Sequence, residues 1–367
     1  VAGFPVLVVD PAKVAAVDPV SHHVTFTPTS NARDGGELIA TPTLADITGD
    51  GHPEILVGAQ EEYEDPPNIG SGADIVSLLS LAADVGNSRV YAISPQGTFV
   101  PGWPVALGFL QLETLPSIGN GVSAQVAVAD VAPQSPGPEV IAASAVGPLY
   151  VLNAAGDSVF GQSGGKDIPL FWAAGLSGAD AGHFGAFRNS TDIAASLVGF
   201  GGPSAGHLDA DTTADVTAPT AGLTRLFDVA LPDQQMPNDD HLMAWRADTG
   251  DALVGFPQTT TDLAFFVTPA IADVDGNGKR ETIAGNGVYL LHAHEWDGRA
   301  PAGWPKLTGG WVVGTPGLGN WDGKGGAELA VVRRDGVLLV WHTDAPASSL
   351  EWPRFGGNDR NSGTPSG

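Results

Sequence analysis

The chain repeats itself, and that repetition constrains its fold more than any other feature. The clearest copy runs from Thr268 through Asp273, Asp275, Asn277 and Glu281 to Gly285, continues in Val288-Tyr289-Leu290-Leu291-His292, and reaches Gly303-Trp304-Pro305. A second copy starts at Thr41-Pro42, passes through Asp46, Asp50 and Glu54 to Gly58, and continues with Val90-Tyr91-Ala92-Ile93 and Gly102-Trp103-Pro104. Three more keep the frame with fewer identities, from Val128 to Leu152, from Pro203 to Trp245 and from Pro316 to Trp341. A Gly-aromatic-Pro triplet punctuates the series at Gly3-Phe4-Pro5, Gly102-Trp103-Pro104, Gly255-Phe256-Pro257 and Gly303-Trp304-Pro305, with Glu351-Trp352-Pro353 as a variant.

Within each copy, short β-branched and aliphatic runs alternate with Gly, Asp, Asn and Pro turn signals, which is the pattern of consecutive antiparallel strands. The last two triplet intervals, Gly255 to Gly303 and Gly303 to Glu351, are each 48 residues, close to one propeller blade. The expected fold is therefore all-β, a single β-propeller of four-stranded antiparallel blades. Five repeats are detectable, near 3–101, 102–184, 185–254, 255–302 and 303–355, with insertions near 6–36, 60–87 and 161–200. Five blades is the economical count, and seven stays open.

Composition narrows the function classes. With 16 Lys plus Arg against 41 Asp plus Glu the formal charge is −25, which repels a phosphate backbone and suits cations. No apolar run approaches the roughly 18 residues of a membrane span. There is no cysteine, so disulfides and thiolate metal sites are excluded. Residues 1–10 show no signal-peptide pattern, so the expectation is a mature form or an excised fragment.

The chemistry concentrates in the loop between the first two strands of each repeat. In the best copy, Asp273, Asp275, Asn277 and Glu281 stand at loop positions 1, 3, 5 and 9, glycine at position 6 permits a sharp turn, and Lys279 at position 7 offers its carbonyl. A hard cation such as calcium takes six to eight oxygens at this kind of spacing. The first copy repeats the register with Asp46, Thr48, Asp50, His52 and Glu54. In the third, Asp209, Asp211 and Asp215 form a further candidate site, weaker because His207 at position 1 is a poor calcium ligand. The second, with Asp130, Ala132, Gln134 and a shifted Glu139, reads as degenerate. In the fifth, Asn320, Asp322 and Glu328 surround Lys324, whose ammonium would take the cation's place. An EF-hand is excluded because its twelfth position must be a bidentate glutamate, and here it is Ala284 or Val57. The competing reading is an Asp/Gly turn held by its own side-chain to backbone hydrogen bonds.

Asp-x-Asp-x-Asn-Gly-x-x-Glu followed by a short apolar strand, Val-Tyr and Gly-Trp-Pro resembles the FG-GAP/VCBS repeats of integrin α-chain propellers and bacterial surface proteins. The resemblance covers nearly the whole chain. It implies a secreted or cell-surface propeller with structural Ca2+ loops that works in adhesion or in recognition of a protein or carbohydrate ligand.

Other features carry less. Trp103, Trp304 and Trp352 recur at one repeat position, as packing residues would, whereas Trp172, Trp296, Trp311 and Trp321 are candidates for an exposed platform. His292 and His294 beside Glu295, and the pair His22 and His23, lack a third zinc ligand at defined spacing. Residues 74–83 have helix-like apolar spacing. No nucleophile elbow, P-loop or zincin motif is present, so nothing positive supports catalysis. The expected role is a non-catalytic, extracellular, calcium-binding recognition or scaffolding module. The alternatives are the propeller portion of a secreted polysaccharide-active, lyase-like enzyme, or a structural subunit of a surface assembly.

Overall fold

The computed structural model describes residues 13–17, 24–28, 40–60, 88–107, 122–143, 146–147, 149–157, 159, 197–199, 201–209, 211–221, 240–246, 249–260, 262, 264 and 266–366. These residues form an all-β structure of several small antiparallel sheets, with one 3-10 turn at Ala347–Ser349. Among them, no helix is long and apolar enough to cross a membrane.

A hairpin of β1 (Lys13–Val17) and β2 (Val24–Pro28) forms a sheet of its own. The first repeat supplies β3 (Thr43–Ala45), β4 (Glu54–Gln60) and β5 (Ser88–Ile93) of a four-stranded meander completed by β6 (Val105–Leu107), which follows the next triplet. The second forms β7 (Ala127–Ala129) and β8 (Glu139–Ala143), then, beyond the two-residue β9 (Val146–Gly147), β10 (Leu149–Leu152). The third sheet joins β9 to β11 (Leu197–Gly199), β13 (Asp215–Ala221), β14 (Asp240–Trp245) and β15 (Gln258–Thr260), with β12 (Ser204–Gly206) also paired to β13. The fourth is β16 (Ala270–Ala272), β17 (Glu281–Gly285), β18 (Leu290–His294) and β19 (Lys306–Leu307). The fifth has three strands, β20 (Gly317–Gly319), β21 (Glu328–Val332) and β22 (Leu338–His342).

Five of the sheets thus each take three strands from one stretch of the repeat series. In the first, third and fourth sheets the Gly-aromatic-Pro triplet leads straight into the outer strand, β6, β15 or β19. The insertion at 161–200 lies outside the described residues except for β11, and the candidate helix at 74–83 lies wholly outside them.

Packing between consecutive sheets explains why so many strands read as unbroken apolar runs. Strands β8, β10 and β17 are buried along their whole length because both faces are covered. One cluster, with Leu56, Val90, Val128 and Val140, joins the first and second sheets. Another, with Ile141, Val216, Trp245 and Ile271, joins the second, third and fourth. A third, with Ile283, Leu291, Leu318 and Leu329, joins the fourth and fifth. The approach is close enough to demand glycine: a Cβ on Gly58 would lie 2.5 Å from Val122, and one on Gly285 would lie 2.5 Å from Val312.

The short first strands meet in succession, β3 against β7, β7 against β12, and β12 against β16. Residues 351–366 run past the first strands of all five sheets. Leu44 of β3 donates to the Ser362 carbonyl at 2.9 Å, Val128 of β7 to Gly363 at 2.8 Å, Ile271 of β16 to Trp352 at 3.0 Å and Leu318 of β20 to Pro353 at 2.7 Å. Beside β12, the backbone N–H of His207 donates to the Glu351 carboxylate.

Candidate metal centres

The acid ending each loop has the same position in every sheet. Glu54, Glu139, Asp215, Glu281 and Glu328 each open the second strand and are buried. Each accepts a hydrogen bond from the backbone N–H at loop position 2: Ile47 at 2.9 Å, Val131 at 3.0 Å, Leu208 at 3.1 Å, Val274 at 2.7 Å and Trp321 at 2.8 Å. This bond ties loop to strand in all five sheets, whatever the rest of the loop contains. The reading of the acid as a ligand alone missed this structural duty.

Three loops gather metal-capable groups. Asp46, Asp50 and Glu54 bring one ligand atom each to within 4.8 Å of the others, as do Asp273, Asp275 and Glu281, and Asp322, Glu328 and His342. These loops share a left-handed glycine at positions 4 and 6, with φ of 75° and 85° at Gly49 and Gly51, 73° and 88° at Gly276 and Gly278, and 72° and 68° at Gly323 and Gly325. Side chains avoid that region, so glycine there lets the loop curl its carboxylates inward. In all three the residue at position 1 collects loop N–H groups. Asp46 accepts from Gly49 at 2.7 Å and Gly51 at 2.8 Å, Asp273 from Asn277 at 3.0 Å and Gly278 at 2.8 Å, and Asn320 from Gly323 at 2.7 Å.

The fourth loop differs from the first in its surroundings. Glu281 is fully buried, and its Oε1 has no hydrogen-bond partner. Burial pushes its carboxyl up to about 8, with Asp275, Asp273 and Glu295 adding to the shift and the Val274 N–H opposing it. Burial also raises Asp275, and the Asp273 and Glu295 charges push it the same way. On the rim, Glu295 accepts from Lys279 Nζ and Asn277 Nδ2, both at 2.9 Å. In the first loop, Thr48 Oγ1 donates to Glu54 at 3.2 Å, and the His52 N–H donates to Asp50 at 2.8 Å.

In the third loop, where both glycines are missing, a cation of the protein's own faces the acids. Arg246 reaches Asp211 at 2.8 Å and Asp209 at 3.5 Å, and Asp215 behind them is pushed up to about 8 by burial and by the Asp209 and Asp211 charges. In the fifth loop, Lys324 is exposed and the group facing Glu328 is His342, the cross-strand neighbour of Glu328, at 3.0 Å. There the Trp321 N–H and His342 hold the Glu328 carboxyl below its ordinary range. The second loop keeps Glu139, raised by burial, while Asp130 is exposed.

The remaining candidates separate cleanly. Trp103 and Trp352 are buried, and Trp103 Nε1 donates to the Ala154 carbonyl in the turn after β10 at 2.9 Å. Trp304 and Trp296 pack against core clusters, Trp311 carries the Arg334 guanidinium over its ring, and Trp321 is exposed. His292 and His294 are buried and stacked, 6.0 Å between ring centres. Trp172, His22 and His23 lie outside the described residues.

Comparison with known proteins adds likenesses of shape. The rhamnogalacturonan lyase YesW is 17% identical over 93% of this chain and 53% of that one, with a TM-score of 0.43. A Bacillus licheniformis rhamnogalacturonan lyase is 16% identical over 93% and 54%, also at 0.43. The V. cholerae biofilm matrix protein Bap1 is 12% identical over 97% and 82%, at 0.37. The chain spans about half the length of the two lyases, and at TM-scores below 0.5 these likenesses assign it neither fold nor activity. No family model and no curated protein matches the chain.

Proposed function

We propose that this chain is a five-bladed propeller of FG-GAP/VCBS type that binds calcium in its first and fourth blades and serves outside the cell as a recognition or scaffolding module. The five small antiparallel sheets, the successive contact of the first strands of four of them, and the cores that join the first sheet to the second, the second to the third and fourth, and the fourth to the fifth support this reading. The observation that carries the calcium reading is Glu281. A fully buried carboxyl oxygen without a hydrogen-bond partner, beside Asp273 and Asp275, carries its charge at little cost only when a cation takes the place of its proton. The donors are all oxygens, which suits a hard ion. Asp273, Asp275, Asn277 and Glu281 would hold one ion, and Asp46, Asp50 and Glu54 the other. Each ion would pin a loop to its blade, the same duty that Arg246 performs in the third.

A protein or glycan partner fits the loop faces better than the middle of the ring. Residues 351–366 run past the first strands of all five sheets, and beside them lies a cavity of about 950 Å³. Its charged lining includes Arg354, already paired with Asp359 at 2.9 Å.

A melt in calcium and in chelator tests the proposal, because an ion bound only by the folded state stabilises it by about 2.7 kcal/mol at a hundred times its Kd. Equal melting in both conditions contradicts it. A glycan and protein binding screen run with and without calcium then identifies the partner class.

A further inference from the structure

A second cavity, of about 510 Å³, opens between the fourth and fifth sheets, and its lining includes Tyr289, Trp311, Arg333, Arg334 and Asp335. None of its lining comes from the metal loops. Successive turns of an antiparallel meander lie at opposite ends of the sheet. The β17–β18 turn with Tyr289 and the β21–β22 turn with Arg334 are therefore at the end away from the loops at 273–281 and 320–328. Trp311 reaches the same end in the segment that follows β19.

Backbone bonds to both sheets fix the shape of this cavity. Thr308 donates to the Tyr289 carbonyl at 2.7 Å, Val312 to the Asn286 carbonyl at 3.2 Å, and Arg334 to the Trp311 carbonyl at 2.8 Å. Residues 308–312 thus tie the two turns together, so a ligand entering here orders little of the protein.

The two arginines have different duties. Arg333 is committed to the protein: Nη1 donates to the Thr308 carbonyl at 3.3 Å and Nη2 pairs with Asp335. Its Nε lies flat against Gly310, where a Cβ would come within 2.9 Å. Arg334 is exposed, and among the described residues no carboxylate pairs with it. Arg246, Arg280, Arg299 and Arg354 each have such a partner. The Arg334 guanidinium instead lies over the Trp311 ring, 5.0 Å from its centre. A guanidinium held by its face keeps its N–H edge for a planar acceptor with two oxygens. Tyr289, in the same cavity, is 56% exposed and offers an open aromatic face.

We infer that this cavity binds a sugar bearing a carboxylate, the uronate class, with Arg334 on the carboxylate and Tyr289 and Trp311 against the apolar faces of the rings. Asp335 is exposed and keeps acceptor capacity for sugar hydroxyls. That mixture of aromatic face, guanidinium edge and acceptor matches a hydroxyl-bearing ring, which an acidic peptide lacks. The chain's net charge of −25 does not oppose a short ligand, because fields between exposed charges are screened within about 8 Å at physiological ionic strength. The inference rests on the recognition role proposed above but not on calcium.

Titration calorimetry of the full chain at fixed free calcium tests it, with a short galacturonate oligomer, its methyl ester and a glutamate oligomer as probes. The acid sugar is expected to bind about tenfold tighter than its ester, the scale of a hydrogen-bonded charge pair. Arg334→Gln should abolish that preference while leaving the affinity for the ester unchanged. Tyr289→Ala should weaken acid and ester alike, by about fivefold. Both side chains are exposed, so unchanged melting temperatures show that the fold is kept. No binding of the acid sugar, equal binding of acid and ester, a preference that survives Arg334→Gln, or a glutamate oligomer bound as tightly as the uronate would each overturn the site. A glycan or protein from the broader screen that binds Arg334→Gln and the wild type equally, where the uronate binds neither, would overturn this site and leave the recognition role standing.

Discussion

Arg246 donates from Nη2 to Asp211 across 2.8 Å, so the third loop sets a guanidinium against its acids where the first and fourth loops gather three carboxylates. The third sheet is therefore expected to be calcium-independent. Arg246→Met should lower the melting temperature in chelator by the equivalent of about 1 kcal/mol, the scale of a partly exposed pair. Asp211→Asn in the same chain should recover part of that loss. A double-mutant cycle by thermal melt checks both, and strict additivity would show that the pair is energetically silent.

Calcium affinity in the fourth loop should depend on pH. The Glu281 carboxyl, pushed up to about 8, holds a proton at neutral pH, and calcium must displace it. Affinity should rise about tenfold per pH unit below 8 and level off above. In the calcium-free protein the sign is set by the raised pKa: the contribution of this group to stability is full below about 4.5 and is lost as pH rises through 8. Calcium titrations at pH 6, 7 and 9 in an Asp46→Asn background isolate this loop. A flat profile would contradict the assignment of Glu281.

His292 behaves in the opposite sense. Burial, and then the neighbouring His294, lowers its pKa from 6.5 to about 4, so the folded state holds it neutral. Its contribution is present above 6.5 and is lost as pH falls to 4, amounting to about 3 kcal/mol at roughly 1.36 kcal/mol per unit. Denaturant unfolding of the wild type and of His292→Gln across pH 4 to 7 reads the difference. Parallel curves would exclude it.

The tail should be structural. Trp352 is buried in the cluster that joins the second, third and fourth sheets and exchanges two backbone bonds with Ile271. Trp352→Ala should cost about 3 to 5 kcal/mol, the range for emptying a large aromatic site. Chemical denaturation measures it.

The repeat made the sheets legible because strand runs and turn residues recur at fixed spacing, and all five copies from Thr41 to Trp341 became sheets. The loop register was legible for the same reason, since positions 1 to 9 are contiguous in sequence. Partners brought in by strand pairing were not. Arg246 lies 35 residues from Asp211, and His342 lies 14 from Glu328, so only the register of β14 on β13 and of β22 on β21 places them at the loops. The course of residues 351–366 was equally hidden, because their bonds go to strands as far away as Leu44.

The most direct measurement is the number of calcium ions held per chain, by equilibrium dialysis and elemental analysis at pH 8. Two ions are expected in the wild type, and one in Asp46→Asn or in Glu281→Gln, whose neutral amide keeps the Val274 hydrogen bond. No bound calcium in the wild type, or two ions still held by both variants, would contradict calcium binding at these loops.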